Sequence, residues 1–185
     1  MTIGNDHRAG PRRTASRRWL RPVGYLALAL FGCALEFHAV AEEQSLEGTY
    51  KLISSTRKIL DTGQVVDTYG KQPTGFITYS RDGRMLALIV WDKNDRPAPE
   101  SVGAITGEQR ANLFRTMVSY GGTYKFDGDT VEHHIDISWN QAWTGSTQIR
   151  DVRKDGNRLI YTTRPAPFSA DGKMSVITVI WQKVD

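Results

Sequence analysis

The stretch Thr74–Trp91, TGFITYSRDGRMLALIVW, limits the possible folds more than any other part of the chain. Its first run, Gly75–Ser80, is rich in β-branched and aromatic residues, which suit a pleated, half-buried surface. Asp82-Gly83 follows, and glycine accepts the positive φ that a tight hairpin requires. The second run, Met85–Trp91, is apolar on both faces. Met85, Ala87, Ile89 and Trp91 share one face, and Leu86, Leu88 and Val90 share the other. A strand with one wet face alternates with polar residues, so both faces of this one should be covered. A barrel interior on one side and a helix on the other would meet that demand.

One helix is expected. Thr106 and Gln109 stand at capping-box spacing. Ala111, Phe114, Met117 and Val118, with Leu113 beside them, form a helical stripe, and Gly121-Gly122 would end it in a left-handed cap. That stripe is the expected cover for the outer face of Met85–Trp91. The remaining segments read as strands: Gly48–Ile59, Val65–Tyr69, Thr123–Phe126, Thr130–Ser138, Ser146–Arg153, Arg158–Arg164 and Met174–Val184. Glu42–Leu46 reads as a polar lead-in. Asp92–Ala104, Trp139–Gly145 and Pro165–Lys173 read as connections. Strands joined mainly by hairpins make an antiparallel meander. Such a meander avoids exposed edges most simply by pairing its first strand with its last. The expected fold is therefore all-β: an antiparallel barrel of about eight to ten strands with one α-helix packed on the outside. The interior of such a barrel holds packed side chains or one small ligand.

Charge separates this body from what precedes it. Met1–Ala41 carries six basic and two acidic residues, which leaves 18 of each for Glu42–Asp185 and puts the whole net charge of +4 in the leader. The basic balance is then no argument for nucleic-acid binding, and no Lys/Arg run in the body suggests it. Arg12–Arg21 is a basic n-region, Val23–Leu35 an apolar h-region too short to span a bilayer comfortably, and Ala39-Val40-Ala41 a small-residue cleavage site. Residues 1–41 are expected to be a cleavable signal peptide, cut before Glu42, and residues 42–185 the barrel domain, periplasmic or secreted. Ser16-Arg17-Arg18-Trp19-Leu20 is similar to a twin-arginine signal, so the export route stays open. Leu30-Phe31-Gly32-Cys33 is similar to a lipobox. The alternative is a lipoprotein anchored through Cys33, the chain's single cysteine. The expected contact with a membrane is limited to the signal peptide or that lipid.

Several segments match one family in order. They are Gly48-Thr49-Tyr50, Pro73–Met85, Tyr120-Gly121-Gly122-Thr123-Tyr124, Val131-Glu132-His133-His134 and Trp143-Thr144-Gly145-Ser146-Thr147-Gln148-Ile149-Arg150. On these the chain resembles the bacterial and fungal lipocalin-like domain family, a branch of the calycin-type β-barrels. The resemblance implies a barrel with a central cavity for a small hydrophobic or amphipathic molecule, and it implies no shared catalytic set. Lipocalins proper open with Gly-x-Trp, whose tryptophan plugs the closed end; Tyr50 stands in that place here.

The residues themselves offer a short list of polar candidates. His133 shares a strand face with Val131, Ile135 and Ile137 and should point inward, while His134 points outward, so the two cannot chelate one ion. No metal or other cofactor is expected. His133 is either a core histidine bonded to a tyrosine or carbonyl, or a ligand-binding or acid–base group. Gln148 and Arg150 share a face. If it is the inner one, they form a fork of donors for a carboxylate, enolate or phenolate. Trp139 and Trp143 either rim a pocket or plug the barrel end. Tyr79, Tyr124 and Tyr161 are candidate lining residues with polar tips, or ordinary core tyrosines. The expected function is an exported, non-enzymatic binder of a small lipophilic ligand. The alternative is an isomerase, cyclase or hydratase acting on a lipophilic carbonyl compound, with His133 as acid/base and Arg150 as oxyanion stabiliser.

Overall fold

Alternation along each strand and Asp-Gly or Gly-containing turns between them produce ten strands and one helix in residues 45–184, the part of the chain that a computed structural model describes. The proposed signal peptide, its cleavage site and Cys33 lie outside the described residues. The strands are β1 (Gly48–Ile59), β2 (Val65–Asp67), β3 (Thr74–Tyr79), β4 (Arg84–Val90), β5 (Met117–Phe126), β6 (Thr130–Ser138), β7 (Thr147–Asp155), β8 (Arg158–Thr163), β9 (Ala166–Pro167) and β10 (Met174–Lys183). The helix, α1, is Gly107–Arg115 between β4 and β5. Eight strands, β1-β3-β4-β5-β6-β7-β8-β10, pair antiparallel in that order. The pairing of β1 with β10, from Tyr50↔Lys183 to Ile59↔Ser175, closes them into a barrel. β2 lies beside β1, and β9 beside β10 within a segment expected to be a plain loop.

The barrel has a filled end and a hollow end. The β3–β4, β5–β6 and β7–β8 turns gather at one end, where β1 begins and β10 finishes. There Leu46, Tyr50, Met85, Val131 and Leu159 are no more than 5% exposed and pack into one cluster. Tyr50 meets Tyr79 edge-to-face with ring centroids 6.3 Å apart, so it does fill the closed end. Leu46, expected in a polar lead-in, is 1% exposed.

Two bulges reset which residues face inward. In the β1–β10 pair, Leu52 faces Trp181 and Ser54 faces Ile180, so Ile53 is an extra residue. Before it Tyr50 and Leu52 are buried; after it Ser55, Arg57 and Ile59 are. In the β5–β6 pair, Gly121 faces Ile137 and Gly122 faces Ile135, which leaves Asp136 extra. The slip turns Ile137 outward, where it is 68% exposed, although its spacing from His133 puts it on the inner face.

The helix differs from its expected form. The capping box is present: Thr106 Oγ1 accepts from Gln109 N–H, and Gln109 Oε1 accepts from Thr106 N–H. The helix stops at Arg115, however, and Met117 and Val118 belong to β5, which pairs with all of β4. Gly121 and Gly122 are therefore buried strand residues and not a helix cap. A Cβ on Gly122 would overlap the backbone carbonyl of His134, and one on Gly121 would lie 3.2 Å from Leu86 Cδ1. No residue of α1 is buried. The outer face of the central hairpin stays open, with Phe76, Leu86 and Leu88 each more than 40% exposed. α1 instead stands at the hollow end, with Phe114 6.5 Å from Trp139 between ring centroids. Arg96 donates to the carbonyls of Leu113 and Thr116, tying the preceding loop to the helix end, where a cation suits the helix dipole.

Gly122→Ala should destabilise the barrel by about 3 kcal/mol, because a methyl group cannot enter the bulge without separating β5 from β6. A lowered urea midpoint at unchanged slope would register it.

A cavity floored by a tyrosine–histidine chain

Above the filled end lies a cavity of about 430 Å³. Its walls carry Ile77, Ile89, Val118 and Val179 from the inner strand faces, and Trp91, Trp139, Trp143 and Trp181, the four tryptophans of the described residues. Trp139 and Trp143 meet edge-to-face, with centroids 4.7 Å apart, and Trp143 meets Tyr120 in the same way at 5.9 Å. The tryptophan pair is held by the turn Gln141–Trp143, whose Asn140 side chain accepts from Ala142 N–H. The segment Pro165–Ala170 lines the opposite wall. A buried cation fixes that segment: Arg57 stacks 4.1 Å above the Phe168 ring and donates to Asp171 at 2.5 Å. That contact, with a backbone donor from Lys173, holds the Asp171 carboxyl below its usual range.

The polar candidates separate into two layers. Gln148 and Arg150 face inward from β7, opposite His133 and Val131 of β6, and both line the cavity. Arg150 donates to Gln148 Oε1 and, at 3.0 Å, to the carbonyl of Ile149, so both of these acceptors are neutral. Trp139, Trp143 and Tyr161 line the cavity as well. Tyr79 and His133 lie behind the wall, 2% and 1% exposed. Tyr124 is apart from the cavity: its hydroxyl donates to the Ser80 carbonyl near the filled end, and its ring packs on Tyr79. His134 points outward toward Thr147 Oγ1.

His133 joins the two layers. Its Nε2 lies 2.7 Å from the Tyr79 hydroxyl, and its Nδ1 lies 3.2 Å from the Tyr120 hydroxyl. The Tyr79 hydroxyl lies 2.9 Å from that of Tyr161. Four buried polar groups thereby satisfy one another in a line, Tyr161–Tyr79–His133–Tyr120. Burial, helped by the nearby Arg150 charge, lowers the His133 pKa to about 3, so the imidazole is neutral. Burial raises Tyr79 and Tyr161 well above the ordinary phenol value and raises Tyr120 too, with Arg150 opposing the shift in each. Tyr69 is pushed up to about 12 by burial, with Tyr120 adding to the shift and Arg150 opposing it. Arg150 therefore sits electrostatically among all of them.

Sequence reasoning missed Tyr120, Tyr69 and Arg57. Tyr120 was hidden because a helix was expected to run past it. Tyr69 was hidden because the expected strand Val65–Tyr69 stops at Asp67, and Tyr69 lies in the bend after it, where alternation no longer assigns a face. Arg57 was hidden because simple alternation from Tyr50 and Leu52 puts it outside; only the Ile53 bulge brings it in.

The low pKa of His133 makes a signed prediction. The unfolded chain binds a proton near pH 6.5 and the folded one only near pH 3, so stability falls as pH drops below about 6.5. The protein should lose about 2 kcal/mol between about pH 6.5 and pH 5. His133→Gln should flatten that segment of a plot of urea midpoint against pH.

No curated protein matches the chain. A family model described as a lipocalin-like domain matches residues 47–184. That span begins one residue before β1 and ends one residue after β10, so it takes in the whole barrel. The chain belongs to the lipocalin-like domain family.

Proposed function

We propose that this protein is an exported binder of a small amphipathic acid, whose apolar body fills the cavity and whose acid group rests on Arg150. One observation carries the reading. Arg115, Arg150 and Arg164 line the cavity together with mainly apolar and aromatic side chains, and among the described residues no Asp or Glu does. Arg164 has a carboxylate of its own, Asp151, at 3.8 Å, whereas Arg150 bonds to an amide oxygen and a backbone carbonyl. A half-enclosed guanidinium beside apolar walls is stabilised by an anion, and a carboxylate can accept two of its N–H groups at once. The cavity volume suits a small ligand. The basic and apolar leader with Ala39-Val40-Ala41 supports export.

The geometry favours binding over an acid–base role for His133. Both of its nitrogens are within hydrogen-bond reach of tyrosines, and it lies behind the cavity wall. A group that accepts a substrate proton needs a free nitrogen within reach of it.

Since the tryptophans line the cavity, intrinsic emission reports occupancy. Titration with 4-phenylbutanoate or decanoate should change it saturably, and the matching primary amides should bind more weakly. Arg150→Met should weaken acid binding by about tenfold or more, the scale of a lost hydrogen bond to a charged group. A folded protein whose emission ignores every acid would sink the proposal. The mass of the mature chain from an envelope fraction checks the export component: cleavage before Glu42 is expected, and a lipid on Cys33 would replace it with an anchored form.

A further inference from the structure

The two ends of the Tyr161–Tyr79–His133–Tyr120 line both return to the cavity, while its middle members do not. The protons in that line can be counted. A neutral imidazole carries one N–H, and each phenol carries one O–H. The line has three hydrogen bonds and four protons, so one proton is left over.

Where it is left depends on the tautomer. With the proton on Nδ1, His133 donates to Tyr120, Tyr79 donates to Nε2, and Tyr161 donates to Tyr79. The Tyr120 proton is then unused, and the Tyr161 oxygen can accept. With the proton on Nε2, His133 donates to Tyr79, Tyr79 to Tyr161, and Tyr120 to Nδ1. The Tyr161 proton is then unused, and the Tyr120 oxygen can accept. Each arrangement satisfies the same three contacts, and neither creates a charge in the apolar interior. Among the described residues, no contact besides those in the line binds the hydroxyl of Tyr120 or Tyr161. The indole N–H of Trp181, 3% exposed and in the same cavity wall, is likewise without a partner among the described residues.

We infer that Tyr120 and Tyr161 are the ends of a reversible hydrogen-bond relay and form a second, uncharged polar subsite, which takes a ligand bearing a hydroxyl and a carbonyl group. Beside the carboxylate held by Arg150, such a ligand presents one donor and one acceptor to the cavity floor. Whichever way round they lie, the relay supplies the complement by exchanging the His133 tautomer. The class is that of hydroxylated keto acids, aromatic ones included, with the Trp181 N–H as a further donor to the carbonyl. This inference rests on the acid-binding reading for its ligand, but the relay itself does not.

The test has two arms. In protein labelled with 15N-histidine, nitrogen shifts give the His133 tautomer, assigned by comparison with His133→Gln. Tyr161→Phe should hold the proton on Nδ1, because Tyr79 can then donate only to Nε2. Tyr120→Phe should hold it on Nε2, because an N–H facing the phenyl ring would be an orphaned buried donor. Each change removes a single hydroxyl and keeps the ring, so the fold should survive. In the second arm, tryptophan emission compares 4-phenylbutanoate with 4-(3-acetyl-5-hydroxyphenyl)butanoate. The hydroxy-acetyl acid should bind about tenfold more tightly to the unaltered protein, and each phenylalanine variant should lose most of that gain. The same tautomer in both variants, or no gain for the hydroxy-acetyl acid, overturns the proposal. Failure of 4-phenylbutanoate alone to bind counts against the acid reading and leaves the relay standing on its tautomers.

Discussion

Pairing of the first strand with the last is the constraint on which the rest of this structure depends. β1 and β10 share the longest ladder in the barrel, and without it each would be a free edge with unpaired N–H and C=O groups. Closing the ring gives those groups partners and separates an inside from an outside. Only then can the alternation along each strand sort its residues. The same two strands run on past the barrel wall at the hollow end, where β2 and β9 flank them and Arg57 holds the Phe168 segment. Closure and the shape of the cavity are therefore properties of one pair of strands.

Within that ring, the polar floor is a balance between burial and mutual satisfaction. A histidine and three tyrosines away from water would cost several kcal/mol if their hydrogen-bonding groups were left open. Lined up, each meets another, and the imidazole stays neutral. Arg150 is different in kind: it cannot lose its charge, and its neighbours in the cavity wall are neutral acceptors and phenols. An uncharged floor whose two end hydroxyls face the cavity and a cation that gains from an anion together give the cavity its chemical direction.

Much of this was legible in the residues. The Asp82-Gly83 hairpin, the full extent of β1 and β6, the inward His133, the Thr106–Gln109 capping box and the closing pair all follow from alternation, turn chemistry or the cost of an exposed edge. What was not legible comes from two places where alternation slips by one residue. Nothing in VEHHIDIS marks Asp136 as extra; its trace is in the partner strand, where Gly122 has no room for a side chain. The same pair of glycines suggested a helix end, and so hid Tyr120. The Ile53 bulge hid Arg57 similarly. The helical stripe failed because a strand that can pair along the whole of β4 gains more than a longer helix with no face to bury.

The closing ladder has one more consequence. Val184 N–H donates to the Thr49 carbonyl, so the barrel's first and last residues lie side by side at the filled end. The ring of strands has no privileged starting point. A short linker between those residues would make the backbone continuous there, and the chain could be opened at another turn, such as Asp155-Gly156, without parting any two strands. What the linear order of the sequence supplies is a place to begin synthesis; the architecture itself is cyclic.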